Sequence, residues 1–488
     1  MINERSLKDK AISGVKWTSV SSIILAFLQL IQVSILARYL SPSDFGLMAI
    51  VTVIVGFCSM FMDMGISSAI IHKQDITHRQ LSSLYWLNVF SGVALFIFIY
   101  LSSEIIAYYY NEPDLVTLIK LLSITFFISS VGNQYRVLNQ KELNFNFLAK
   151  VEVAAVLISF FVAVVCAMCG YGVYSLVYAT LVNVTISNGL FVLFGYSSYK
   201  PLLIYKHSDV KELIKFGAFQ MGERSINYFN SQFDIILIGK LLGTEALGIY
   251  SVAKTFVMKP AQIINPILTK VTFPVMSKLQ NDIKKLKFVY INMIYYLCLV
   301  NFPIYTAIAV LAEPIVLSVF GKEWLESVKI LQVLSIYFML RSILNPVGAL
   351  QLARGRADLG FYWNLALATI VPCTIYFGSF YGLIGVSVAL LSLQIFINFP
   401  AWYFMVYPLC DISFKLYFLN ILKPIIITFC TLGISIVVAN GFVDYDEKFL
   451  FAVVFSTNFI VWYSLFLYRF DDNLHGVLLN FWYRFKSK

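Results

Sequence analysis

Runs of twenty or more mostly apolar residues, separated by short polar or turn-forming breaks, recur from one end of the chain to the other. A helix needs about 20 residues at ~1.5 Å each to cross the ~30 Å hydrocarbon layer of a bilayer. Fourteen segments meet that requirement, at approximately 11–37, 45–70, 82–106, 115–137, 147–168, 171–195, 212–238, 245–273, 287–311, 327–348, 359–379, 382–405, 416–439 and 449–469. The longest connection, around Tyr196–Val210, is too short to hold a folded soluble domain. The pattern predicts an all-α polytopic membrane protein of about 14 transmembrane helices. It argues against enzymes that act from a loop domain.

Composition agrees. Of 488 residues, 59% are hydrophobic and 13% charged, against about 45–50% and 25% in soluble proteins. Such a chain, folded in water, would expose larger apolar patches than monomers tolerate. The net charge of +10 comes from 36 Lys and Arg against 26 Asp and Glu. In a soluble protein that surplus would suggest nucleic acid. With the N-terminus placed in the cytoplasm, however, 27 of the 36 cations fall at cytoplasmic helix ends. The asymmetry follows the positive-inside rule, with both termini in the cytoplasm of a bacterial cell and an even number of spans. No nucleic-acid partner is expected. Met1–Lys10 is charged and has no apolar core before a small-residue cleavage site, so the first hydrophobic segment is expected to act as the insertion signal.

The pattern also repeats. Ile35–Gly46 aligns without gaps on Leu237–Gly248, an offset of 202 that places Arg38 on Lys240, Leu40 on Leu242 and Gly46 on Gly248. Tyr171-Gly172-Val173 recurs as Tyr381-Gly382-Leu383, an offset of 210. Each offset spans six predicted helices, so both copies share one orientation, a known transporter plan with substrate held between the halves. The expected organisation is an N-terminal six-helix lobe over 1–200, a C-terminal six-helix lobe over 201–410, and two extra helices with a cytoplasmic tail over 411–488. The two six-helix bundles should be pseudo-symmetric.

Ionisable groups inside spans are costly and face bundle interiors or wet cavities. In the seventh span Gln220, Glu223, Arg224, Asn227, Asn230, Ser231 and Asp234 recur every three to four residues and share a face. The eighth answers with Ser251, Lys254, Thr255, Lys259, Gln262, Asn265 and Thr269, and the first shows a milder stripe that includes Lys16, Gln29 and Gln32. Neutral members of such stripes also serve as glue between helices. Cations within spans are better suited to an anionic, phosphate-bearing ligand. Arg224, Lys254, Lys259 and Lys16, with Asn227 and Gln262, are therefore the candidate substrate-binding residues. Asp63, the most isolated intramembrane carboxylate in the sequence, and Glu223 and Asp234 are candidates for coupling to H⁺ or Na⁺. Glu152 and Arg341, nearer the helix ends, read as interfacial charges.

Several motifs are missing or out of place. No G-x-x-x-x-G-K-[ST], G-x-S-x-G or H-E-x-x-H occurs, so no P-loop hydrolysis of ATP, no catalytic residue and no other cofactor is expected. Cys166 and Cys169 form a C-x-x-C, but in an apolar run with no His near in sequence, and no metal site is assigned. Asp444-Tyr-Asp446 has the form of a metal–nucleotide-sugar motif but falls in a loop predicted to face outward.

Ala37–Gly46 with Leu47-Met-Ala, Met64–His72, and Asn139–Phe145 resemble the first half of bacterial polysaccharide exporters. Asp234–Gly243, Leu247-Gly-Ile-Tyr250 and Val271-Thr-Phe-Pro274 resemble the second. The chain is similar over nearly its whole length to the polysaccharide transporter branch of the multidrug/oligosaccharidyl-lipid/polysaccharide (MOP) superfamily, and within it to colanic-acid-exporter-like flippases. The resemblance implies a non-enzymatic flippase that carries an undecaprenyl-pyrophosphate-linked oligosaccharide across the cytoplasmic membrane for exopolysaccharide, capsule or O-antigen synthesis. It implies ion-driven alternating access, membrane lipids as surroundings, and polymerases and glycosyltransferases as partners. Two other classes stay open from the residues alone: a multidrug efflux antiporter of the same superfamily, and a membrane polymerase or ligase acting on lipid-linked sugars.

Overall fold

The computed structural model describes residues 4–73, 75–442 and 448–470. Among these the chain is helical throughout, without strands. In order, the α-helices are α1 (Glu4–Leu36), α2 (Pro42–Asp63), α3 (Ile66–His72), α4 (His78–Tyr110), α5 (Asp114–Lys141), α6 (Phe145–Met168), α7 (Tyr174–Gly195), α8 (His207–Leu241) and α9 (Gly243–Lys278). There follow α10 (Ile283–Val310), α11 (Ala312–Ile315), α12 (Ser327–Ser342), α13 (Val347–Ala353), α14 (Ala357–Ser379), α15 (Gly382–Ala401), α16 (Tyr407–Cys410), α17 (Phe414–Phe442) and α18 (Lys448–Phe470).

The fourteen predicted spans all fall on helical stretches, most of them on a single helix. Among the described residues, eleven stretches are long and apolar enough to cross a membrane, and Val20–Leu36 of α1 is a shorter apolar one. α8 and α9 stand outside that set, because their polar stripes interrupt the apolar surface at nearly every turn. Two spans differ from their prediction: 327–348 leaves α12 at Ser342 and resumes in α13 at Val347, and 45–70 is interrupted as well. The segment 45–70 is broken at Met64 and Gly65, both with left-handed backbone (φ 45° and 69°), and continues as the short α3.

Two units form along this chain. Met1–Val252 with Trp363–Val386 make one, and Ala253–Tyr362 with Ser387–Lys488 make the other. In the first, buried Tyr85, Tyr135, Leu148, Val151, Phe191 and Tyr199 form one core, and Ile66, Ile70, Leu84 and Val137 form another below α3. In the second, α18 offers Phe451, Phe455, Phe459 and Tyr463 at i, i+4 spacing, stacked at 6.1, 5.5 and 6.1 Å between ring centroids. That ladder packs with Leu311 and Ala439 and is tied at its start by an ion pair between Lys448 and Glu313.

Inside the first unit the internal repeat becomes a physical contact. A Cβ placed on Gly46 would lie 1.8 Å from the carbonyl oxygen of Thr244, and one on Gly248 would lie 1.7 Å from that of Pro42. Pro42 aligns with Thr244 at the same offset of 202 that pairs Gly46 with Gly248. Each copy's glycine thus receives the other copy's carbonyl, as in a two-fold symmetric interface. The Ser43 and Thr244 hydroxyl oxygens meet alongside at 3.0 Å. Lipid tails are as apolar as leucine, so association in a bilayer relies on close backbone approach at small residues.

Alanine at Gly46 or Gly248 should therefore lower the apparent Tm of the detergent-purified protein, at a cost in the range of about 1–3 kcal/mol for overpacking. Alanine at Gly189, where an added Cβ meets nothing within 4 Å, should leave Tm unchanged or raise it slightly. Thermal unfolding curves that coincide for all three variants would contradict the contact.

Candidate functional site

The second unit holds a cavity of about 360 Å³ whose lining joins apolar surface with several polar groups. Its walls are Met258, Ala261, Gln262 and Asn265 from α9, and Phe338, Arg341, Ser342 and Asn345 at the end of α12. On α9 these positions follow the i, i+3, i+4, i+7 spacing of one helical face. Lys254, almost fully buried, shares that face one turn earlier, and half-buried Lys259 stands beside it, one turn before Gln262. On α12 the spacing of Phe338, Arg341, Ser342 and Asn345 places them together in the same way.

Arg341 is the cavity's cation. Its Nη1 donates to the Tyr337 hydroxyl at 3.0 Å, and its guanidinium lies 5.8 and 5.9 Å from the Tyr337 and Phe338 ring centroids. Aromatic faces hold a guanidinium in place while leaving its other N–H groups directed outward. Asn265 is fixed from behind, accepting from Asn301 Nδ2 at 3.4 Å. Amide and hydroxyl groups at Gln262, Asn265, Ser342 and Asn345 offer both donors and acceptors, the complement of sugar hydroxyls, and Arg341 offers a bidentate partner for phosphate. The volume lies within the ~300–1,000 Å³ range of small-molecule sites.

Sequence reasoning included Gln262 in the site but set Arg341 aside as interfacial, and it did not single out Ser342 or Asn345. Their three-to-four-residue spacing was the available signal. Glu152 does behave as an interfacial charge, pairing with Arg136 at 3.0 Å on the surface.

The first unit contains the other expected residues. Asp234 on α8 accepts from the Tyr250 hydroxyl at 2.7 Å, so this carboxylate is engaged by a neutral donor from α9. Asn230 Nδ2 donates to the Asn364 carbonyl at 2.8 Å, and Asn227 is exposed. Asp63 ends α2 at the helix break. Its Oδ1 accepts from the Ser67 amide at 3.2 Å, from Asn133 Nδ2 at 3.3 Å, and from the Ser67 hydroxyl. The carboxylate thus caps the orphan N–H groups that open α3. An asparagine would retain the same accepting oxygen. The side chains of Lys16, Glu223 and Arg224, and residues Asp444–Asp446, lie outside the described part of the structure. Among the described residues no three metal-ligating side chains converge.

With this geometry in hand, the chain can be set beside known proteins. A family model described as polysaccharide biosynthesis protein matches residues 35–329. The lipopolysaccharide biosynthesis protein WzxC of Escherichia coli (strain K12) is 33% identical over 431 residues, 88% of each chain. The teichuronic acid biosynthesis protein TuaB of Bacillus subtilis (strain 168) is 33% identical over 423 residues, 87% of this chain and 88% of that one. Among solved structures, the lipid II flippase MurJ in an inward closed conformation superposes with a TM-score of 0.72 at 18% identity, covering 95% of this chain and 99% of its own. That last likeness is one of fold.

Proposed function

The chain belongs to the polysaccharide biosynthesis protein family, within the MOP superfamily, and from that premise we propose that it is a flippase for a lipid-linked oligosaccharide. The cargo is a surface-polysaccharide repeat unit on undecaprenyl pyrophosphate, moved from the inner to the outer leaflet of the cytoplasmic membrane without covalent change. Both termini face the cytoplasm, and a polymerase and glycosyltransferases act on either side of the step. The observation that carries the reading is the cavity of the second unit, where Arg341 stands among three amides and a hydroxyl. Such a set matches a phosphate joined to sugar and offers no carboxylate for a cationic drug. Lys254 and Lys259, on or beside the same face of α9, add positive charge near it. Arg224, Lys16 and Asn227 remain proposed substrate contacts on sequence grounds.

Transport without an ATP site needs another energy source, and we assign it to an H⁺ or Na⁺ gradient acting through Asp63, Glu223 or Asp234. Alternation requires that a contact such as Gly46–Gly248 open and close.

Three experiments bear on this. Arg224→Ala, Lys259→Ala and Arg341→Ala should each leave the protein in the membrane while reducing surface polysaccharide at least tenfold in a deletion strain; wild-type export by the Arg224/Lys259 double variant would remove the cationic site. Pairing Ser43→Cys with Thr244→Cys, whose parent hydroxyls lie 3.0 Å apart, should give an oxidised protein that does not transport and that recovers with reductant. Full transport by the cross-linked form would show that this contact never opens. In proteoliposomes Asp63→Asn, which keeps the cap of α3, should lower cargo-dependent ion flux, and unchanged flux takes Asp63 out of coupling.

A further inference from the structure

The connection between α7 and α8 is fastened along the first turns of α4. Trp86 Nε1 donates to the Leu202 carbonyl at 2.7 Å, the Leu202 amide donates to Ser82 Oγ at 3.0 Å, and the Lys206 amide to Ser83 Oγ at 3.1 Å. Both serines are buried, and the Tyr199 ring lies 5.1 Å from that of His78 in a tilted contact. The strap is therefore held by its backbone, yet it turns apolar side chains outward: Leu202, Leu203, Ile204 and Tyr205 are all exposed, Leu203 by 86%. Together with Trp86, Leu87 and Phe90 the last three of these enclose an open cavity of about 590 Å³.

What lies on either side of the cavity identifies its occupant. Beyond Phe90, itself 71% exposed, the apolar residues Ile97, Leu101 and Ile105 continue down one face of α4 and are likewise exposed. A face of that kind borders lipid tails. In the opposite direction the helix begins with Arg79, two turns before Trp86 and on its face, while exposed Lys200 and Lys206 bracket the strap. This is the basic end of the helices, the cytoplasmic one by the positive-inside rule, and Trp and Tyr gather there as they do at headgroup level.

Cations above, an apolar cavity below, and a lipid-facing stripe beyond have the amphipathic order of a single phospholipid. We propose that α4 and the strap form a binding site for an anionic phospholipid of the cytoplasmic leaflet, its phosphate among Arg79, Lys200 and Lys206 and an acyl chain between Trp86, Phe90 and Leu203. A zwitterionic lipid fills the cavity equally well but gains little from the cations. The site concerns the membrane's own lipids and does not depend on the cargo.

Trp86 reports its own pocket. The full-length protein would be reconstituted with dibrominated phosphatidylglycerol or dibrominated phosphatidylcholine, and the quenching lost in Trp86→Phe assigned to Trp86. Half-maximal quenching of Trp86 should need about a hundredfold less phosphatidylglycerol than phosphatidylcholine. Changing Arg79, Lys200 and Lys206 to Gln should abolish the preference, by about fivefold for each cation, as expected for roughly 1 kcal/mol per basic side chain at an anionic surface. Phosphatidylcholine quenching should not change. Lys200→Gln alone, an exposed loop substitution, carries the same test at about fivefold if the triple variant does not reconstitute. Equal quenching by both lipids, or a preference that survives neutralisation, overturns the site. So does relief of quenching by an isoprenoid phosphate at a level where unlabelled phosphatidylglycerol has no effect, since the pocket would then belong to a carrier lipid.

Discussion

A peptide group in hydrocarbon has no water to bond, so every N–H and C=O of a spanning segment must be satisfied within the protein. That constraint decides most of what this chain does. It makes helix the only secondary structure among the described residues, and it also governs the polar side chains. Buried Ser82, Ser335, Thr431 and Ser435 each donate to the carbonyl four residues back, spending their hydroxyls inside their own helices. Where the backbone does break, at Met64 and Gly65, Asp63 and Asn133 converge on the opening of α3. The break is tolerated because side chains replace the missing helical bonds. A charged group at that point is costly to bury but serves the backbone directly.

Solvation alone cannot hold such helices together, since leucine against lipid costs little more than leucine against leucine. Packing has to do it. The reciprocal fit of Gly46 and Gly248 against the carbonyls of Thr244 and Pro42 shows how sequence duplication supplies that packing. One small residue at one register, copied 202 positions on, yields two complementary contacts. The interface is mainly backbone against backbone, with the Ser43–Thr244 hydroxyl pair beside it and Thr244 also donating to Glu112 at 2.9 Å. It is specific enough to define a register between the two copies of the repeat.

Much of this was legible in the amino-acid sequence, and the rest was hidden for identifiable reasons. Spans are set by length and apolarity, which are local, so the predicted spans fall on helical stretches. The repeat was visible because its glycines and its cation positions recur at fixed register. The break at residues 64–65 was not, because Met and Gly sit comfortably in an apolar run and no proline marks the place. Asn133, seventy residues from Asp63, could not be paired with it by any periodicity. Arg341 was read from its distance to a helix end; that it lines a cavity with Gln262 and Asn265 is a relation between two helices that one-dimensional spacing does not express.

The basic surplus therefore divides by position rather than by count. Cations at helix ends, such as Lys73, Lys200 and Lys206, follow the pattern expected of the positive-inside rule. Orientation asks for none at Lys254, which is buried to within 6% of full exclusion, nor for an arginine held against two aromatic rings at the mouth of a cavity. Removing Lys254 from water costs several kcal/mol unless charge or hydrogen bonds return it, whereas Arg341 stays exposed. A soluble charge added for topology would be free to snorkel outward; these are fixed where their field falls on a cavity sized for a ligand. In the function proposed above, the ligand that meets this positive field is the phosphate of a lipid-linked glycan.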